Sequence, residues 1–103
     1  MIQFANLITP ITIDSEYNAY VINITAASKS GHMDLIACIK GSFYGFEIKW
    51  KSDQPSELQK DKINKCVAAG GKAYFVYSTK HLCYILDNNV NPITYDTKNK
   101  YIL

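Results

Sequence analysis

The segment from Asp34 to Trp50, DLIACIKGSFYGFEIKW, constrains this chain most. Two apolar runs flank Gly41-Ser42, and each has strand length. Gly41-Ser42 is a two-residue hairpin signal, because glycine suits the first central position of a II′ turn. On that reading Asp34–Lys40 and Phe43–Trp50 are antiparallel strands, with Lys40 opposite Phe43, Ile36 opposite Glu47 and Asp34 opposite Lys49. Strand side chains alternate, so Asp34, Ile36, Glu47 and Lys49 share one face. Asp34 and Glu47 are then diagonal neighbours, about 7–8 Å apart at the backbone. A four-residue loop keeps this arrangement, whereas a loop of odd length puts one set of side chains on the other face.

Two acids and a lysine inside apolar strands need a physical reason. Unpaired carboxylates repel, and burying each costs roughly several kcal/mol. A divalent cation removes the repulsion. Magnesium takes oxygen ligands, usually one or two carboxylates with waters and phosphate oxygens. Lys49 beside the same point suits a phosphate, and the set suits phosphodiester hydrolysis. The plain alternative is an opposed Asp34–Lys49 salt bridge, with Glu47 at a sheet edge.

The rest of the chain supports a mixed α/β domain with helices on a small sheet. Met1–Ile8 fits two helical turns before Pro10, and Tyr17–Ile24 alternates as a strand with Tyr20, Ile22 and Ile24 on one face. Ala26–Met33 and Lys51–Gln54 read as loops. Pro55 suits the first helical position, with Asp53 or Gln54 as cap and Glu57 favourable in the first turn. The helix ends at Ala69, before Gly70-Gly71. Its 3.6-residue period puts Gln59, Ile63, Cys66 and Val67 on a buried face, and Glu57, Lys60, Asp61, Asn64 and Lys65 on the other. Gln59 is a polar residue at the head of the buried face. It needs partners there, and Lys49, a metal-bound water or a phosphate could supply them. Lys72–Ser78 reads as a core strand, Thr79–Leu86 as a short helix, and Ile93–Leu103 as a tail that can add a strand. Turns fall at Asn88-Asn89 and Asn91-Pro92.

Composition narrows the class. At 103 residues, 48% hydrophobic and 19% charged, the chain fits one folded domain spanning 1–103. No apolar run approaches the roughly 18 residues of a membrane span, and the first residues lack a signal-peptide pattern. Cys38, Cys66 and Cys83 fit neither a disulfide framework nor a zinc site. They read as small core residues, Cys38 and Cys66 above all, and a cytoplasmic setting is expected. Nine of the eleven lysines lie between Lys29 and Lys80, a stretch of net +4, and there is no arginine. A solvated surface accounts for that; so does a polyanion partner.

The motifs, taken in order, resemble the VRR-NUC (virus-type replication-repair nuclease) branch of the PD-(D/E)xK nuclease superfamily. The resemblance covers Ser28–Ser78, about half the chain. It comprises Gly31-His32-Met33-Asp34, the hairpin, Phe46-Glu47-Ile48-Lys49, Pro55-Ser56-Glu57-Leu58-Gln59, and the Ala-Ala-Gly-Gly turn at Ala68 leading to Tyr74. It implies a single nuclease-like domain, a small mixed sheet with a central hairpin flanked by helices. It implies that Asp34, Glu47 and the Ile48 carbonyl hold Mg²⁺ or Mn²⁺. Lys49 would be the catalytic lysine and Gln59 its support. Stand-alone viral and phage members of this family look like homodimers that cut branched DNA such as four-way (Holliday) junctions. Two departures stand out. Met33 occupies a position that is usually proline, and the acid usual on an N-terminal helix has no counterpart beyond Gln3 or Glu16.

Three functions follow. The first is a Mg²⁺- or Mn²⁺-dependent endonuclease acting on DNA as a homodimer. The second is a nuclease fold that binds nucleic acid without cutting it, with Lys29, Lys40, Lys51, Lys60, Lys65 and Lys72 on phosphates. The third is a viral factor whose aromatic surface binds protein. In the first two, Lys29, His32, Lys51 and Lys60 are the nucleic-acid contacts nearest the site. His32 touches phosphate or a leaving group, or is merely solvated. His81 reads as ordinary surface. Tyr44, Phe46, Ile48 and Trp50 align on the sheet face away from the site.

Overall fold

A computed structural model describes residues 17–24, 33–50 and 54–97. The elements are β1 (Ala19–Asn23), β2 (Leu35–Ile39), β3 (Ser42–Ile48), α1 (Glu57–Ala68), β4 (Lys72–Val76) and α2 (Thr79–Asp87). The strands form one sheet in the order β1-β2-β3-β4. β1, β2 and β3 pair antiparallel, and β4 lies parallel to β3. Parallel neighbours need a long crossover, and α1 supplies it. This is the small mixed sheet with a central hairpin and flanking helices that the sequence implies. The Met1–Ile8 helix, the candidate contacts Lys29, His32 and Lys51, and Gln3, Glu16 and Asp53 lie outside the described residues.

The hairpin turn sits one residue earlier than expected. Ile39 pairs with Ser42, so the loop is Lys40-Gly41. Both carry positive φ, 51° and 83°. That is the I′ geometry, which follows the strand twist and favours a glycine second. The register becomes Leu35↔Phe46, Ile36↔Gly45, Ala37↔Tyr44 and Cys38↔Phe43. The expected pairs Asp34–Lys49 and Ile36–Glu47 are therefore wrong. Moving the turn by one residue shifts each partner by two, so every side chain keeps its face.

The two faces carry different chemistry. On one, Leu35, Ala37, Tyr44, Phe46, Ile48, Tyr74 and Val76 pack with Leu82 and Ile85 of α2. Tyr44, Phe46 and Tyr74 stack with centroids 6.0–6.4 Å apart. Trp50, expected on this face, is exposed because it lies past the end of β3. On the other face Ala73 and Phe75 pack against Ile63 of α1. Tyr20, Ile22, Cys38 and Phe43 lie on the outer part of that face and are exposed, so Cys38 is not a core residue. Cys66 is partly buried against Ile63, Ala73 and Phe75.

The start of α1 also differs from expectation. Ser56, not Asp53 or Gln54, is the N-cap, and Pro55 stands outside the helix. Ser56 Oγ accepts from the Gln59 N–H, and the Ser56 N–H donates to Gln59 Oε1, closing a capping box. At the other end Gly70 N–H donates to the Val67 carbonyl and Gly71 N–H to the Cys66 carbonyl. This is a Schellman motif, with Gly70 at φ 97°. Asp61 is buried rather than solvent-facing, and Lys65 one turn on lies 3.5 Å from it. Of the expected tail strand, residues 93–97 are not in a strand, and residues 98–103 lie outside the described residues.

The register makes a testable demand on Lys40. Asparagine tolerates left-handed backbone better than lysine, and Asn-Gly is the preferred I′ pair. Lys40→Asn is expected to raise stability by a few tenths of a kcal/mol in urea unfolding. A II′ turn at Gly41-Ser42 would leave residue 40 extended, and the same change would then lower stability.

Candidate active site

The regular pairing of β2 with β3 ends at Leu35↔Phe46. One residue earlier, the Asp34 N–H still donates to the Phe46 carbonyl, 3.0 Å away. Its side chain then takes over from backbone: Asp34 Oδ2 accepts the Ile48 N–H at 2.8 Å. The Asp34 carbonyl in turn accepts the Ile24 N–H at 2.9 Å, tying in the end of β1. Asp34 is thereby fixed beside the end of β3 and near Glu47. N–H and C=O of one strand residue point to the same edge, so the Ile48 carbonyl opens on the Asp34 side.

Glu47 is only 3% exposed. It lies beside Phe75 on the α1 side of the sheet. Burial, reinforced by the charge of Asp34 and opposed by Lys49, pushes its carboxyl up to about 7. Burial also raises Asp34, against the lowering effects of the Ile48 N–H and Lys49. Two neighbouring carboxyls that both resist ionisation mark a place where a positive charge is wanted. Among the described residues nothing donates a hydrogen bond to the Glu47 carboxylate.

Lys49 is 8% exposed and follows β3, its backbone N–H held by the Val76 carbonyl at 2.8 Å. Its ammonium does not pair with Asp34, as the salt-bridge alternative requires. It donates instead to Gln59 Oε1 at 3.1 Å. The same oxygen accepts the Ser56 N–H at 3.0 Å. Gln59 thus caps α1 and anchors the lysine with one amide. The amide is an acceptor with no charge, so Lys49 keeps its full positive charge for a ligand.

Of the expected site residues, Asp34, Glu47, Ile48, Lys49 and Gln59 meet at one end of the sheet. Lys60 does not join them as an unpaired cation: it pairs with Glu57 at 3.2 Å. Lys40 and Lys72 line a cavity by the hairpin turn and the start of β4, at the other end of the sheet. His81 is more than surface, since its Nδ1 accepts the Tyr77 N–H at 3.2 Å. The capping role of Gln59 was missed from sequence, though Ser56-x-x-Gln59 carries that signal.

A hard divalent cation fits the donor set. Two carboxylates with raised pKa, one lacking a hydrogen-bond partner among the described residues, stand beside a strand-end carbonyl. Among the described residues no group of three or more His, Cys, Asp or Glu side chains gathers. Magnesium needs no such cage, since it binds through one or two carboxylates and keeps waters.

Neither the family models nor the curated proteins give a match. Among solved structures, one described as a VRR_NUC domain matches with a TM-score of 0.61 over 74% of this chain and 84% of its own, at 18% identity. The chain therefore has the fold of a VRR-NUC nuclease domain. No helix among the described residues is long and apolar enough to cross a membrane.

The raised carboxyl predicts how stability depends on pH. Glu47 titrates near 7 when folded and near 4.5 in its ordinary state. Between these values the folded chain holds a proton that the unfolded chain has lost. Metal-free stability therefore falls as pH rises from about 4.5 to 7 and levels off above. The loss attributable to Glu47 is on the order of 3 kcal/mol. Asp34 contributes with the same sign and His81, lowered by burial, with the opposite one. Urea unfolding at pH 5 and pH 8 should show Glu47→Gln losing much less stability across this interval than the parent chain.

Proposed function

We propose that the protein is a metal-dependent nuclease that hydrolyses DNA phosphodiester bonds. One observation carries this reading: a buried Glu47, a partly buried Asp34 and a buried Lys49 converge at one end of the sheet, with Asp34 held by the Ile48 N–H and Lys49 by Gln59. Asp34, Glu47 and the Ile48 carbonyl would hold Mg²⁺ or Mn²⁺. When bound, the cation supplies a Lewis acid for the phosphate and lowers the pKa of a coordinated water.

The chain's own residues do the rest. Asp34 sits where the Ile48 N–H fixes it, so its free oxygen has one direction. Glu47, once ionised, offers the second carboxylate. Its burial keeps competing water away. The Lys49 ammonium, held by Gln59, faces the charge that develops on the phosphate or orients the attacking water. Because Gln59 contributes an amide oxygen and not a carboxylate, it positions the ammonium without neutralising it.

Branched DNA is the proposed substrate and a homodimer the proposed working form. One site cuts one strand, so paired cuts need two copies, and a two-fold dimer matches a four-way junction. Chains with no arginine lack the usual bidentate reader of guanine, which favours recognition by backbone and shape. A second reading, binding without cleavage, is favoured by the small number of acids: among the described residues only Asp34 and Glu47 stand at the site.

Purified protein with Mg²⁺ or Mn²⁺, against linear, forked and four-way DNA, separates the two. Cleavage is expected with either cation and is abolished by excess EDTA. Asp34→Asn, Glu47→Gln and Lys49→Met should each lower the rate at least about a hundredfold. Gln59→Ala should lower it less. Unchanged cleavage in EDTA or in Lys49→Met would contradict the nuclease reading. Tight binding with no turnover under any metal would favour the second.

A further inference from the structure

Among the described strands β4 lies at the sheet edge, and residues 90–97 run beside it. Two anchors hold that segment. Tyr74 Oη donates to the Val90 carbonyl at 2.8 Å. Asn64 Nδ2 donates to the Tyr95 carbonyl at 2.7 Å while Asn64 Oδ1 accepts the Tyr95 N–H at 2.8 Å. Between segment and strand a groove of about 260 Å³ remains, lined chiefly by Pro55, Phe75, Tyr77, His81, Ile93 and Tyr95.

The groove borders the candidate active site. Phe75 is the register neighbour of Glu47 on β4, and Val76, next in the strand, holds the Lys49 N–H. Pro55 immediately precedes Ser56, whose N–H shares Gln59 Oε1 with Lys49.

Its walls suit one chemistry. Phe75 and Tyr95 meet edge to face at 5.3 Å, and Tyr77 and His81 lie 5.9 Å apart, so flat rings line the space. Tyr77 is 39% exposed and Ile93 60%, so the described residues leave the mouth open. Among the described residues no lysine lines it, which makes that lining a poor seat for phosphate. His81 accepts a backbone N–H at Nδ1, so its neutral ring carries the proton on Nε2. Burial lowers its pKa and keeps it neutral near pH 7. A largely apolar slot lined by flat rings, with the His81 Nε2–H among its hydrogen-bond donors, matches a nucleobase, and aromatic stacking is how single-stranded bases are held. A base inside a duplex cannot enter, because both its faces are already stacked.

We infer that this groove holds an unpaired nucleobase of the strand whose phosphodiester lies at Asp34, Glu47 and Lys49, so that Tyr77 and His81 select branched or frayed DNA. The inference rests on the nuclease reading for the place of the phosphate, but its test does not need cleavage.

The test uses 2-aminopurine at the first unpaired position of a forked DNA, with a fully paired duplex carrying the same base as control. Calcium replaces magnesium to hold back cleavage. The wild-type protein should quench the fork's fluorescence and leave the duplex unchanged. Tyr77→Ala should lose the quench and bind the fork about tenfold more weakly. Tyr77→Phe should behave as wild type. Equal quenching by Tyr77→Ala, or wild-type binding no tighter to fork than to duplex, overturns the inference. The wild-type comparison of fork with duplex decides even if Tyr77→Ala fails to fold. Cleavage of the same DNAs with Mg²⁺ and Mn²⁺ separates the two claims. Cleavage without quenching removes the groove's role and leaves the nuclease. Quenching without cleavage under either metal leaves a base-binding groove and removes the nuclease. Absence of binding to either DNA removes both.

Discussion

The bond from the Ile48 N–H to Asp34 Oδ2 is the contact on which the candidate site depends. It forms where the β2–β3 ladder runs out, and a side chain there does what a backbone carbonyl does further along. Three consequences follow. The strand-end N–H is satisfied without extending the sheet. The carboxylate is fixed in direction, with one oxygen engaged and one free. Asp34 is also held close enough to Glu47 for its charge to help raise the Glu47 carboxyl. Without this bond the backbone of Asp34 would still be tied to Phe46, but its carboxylate would have no fixed direction.

Around that point the fold divides its work between two faces. The face under α2 is apolar and stacked, with three aromatic rings in register across β3 and β4. Its one hydroxyl at the β4 edge, on Tyr74, is satisfied by the Val90 carbonyl, and the layer supplies stability. The α1 face is thinner and carries Gly45, Glu47 and Phe75 in place of a continuous apolar layer. Lys49 continues it past the strand. Helix α1 reaches this face with its N-terminal turn, so the residue that closes the capping box is also the one that meets Lys49. A helix start placed one turn earlier or later would separate those two roles. The favourable partial positive charge of a helix N-terminus also lies near the acids and would suit a phosphate.

Much of this was legible in the sequence, and the failures have physical causes. The alternation of Phe46-Glu47-Ile48-Lys49 showed that acid and lysine share a face, because a strand's period of two survives an error in register. The register itself was misread. A glycine at 41 fits either the second place of a I′ turn or the first place of a II′ turn, and only Lys40's willingness to take positive φ decides. The Pro55 signal outweighed the Ser56-x-x-Gln59 signal at the helix start, although the capping box satisfies two backbone donors and a proline satisfies none. Cys38 and Trp50 were placed inside by their apolar character. Cys38 is exposed because no described element covers the outer part of the α1 face, and Trp50 because β3 ends before it. Asp61 was placed outside by its charge. The groove along β4 was not legible at all, since it arises where residues 90–97 return to β4, twenty residues earlier in the chain.

The central claim is that Asp34 and Glu47 together form a cation site. Calorimetric titration of Mg²⁺ or Mn²⁺ near pH 6, repeated in buffers of different ionisation enthalpy, measures the protons released on binding. Because Glu47 titrates near 7 and the ligand form is the carboxylate, the wild-type protein should release close to one proton per cation. Glu47→Gln should bind weakly with almost no release. Absence of any binding by the wild-type protein, or a release that Glu47→Gln leaves unchanged, would contradict the account.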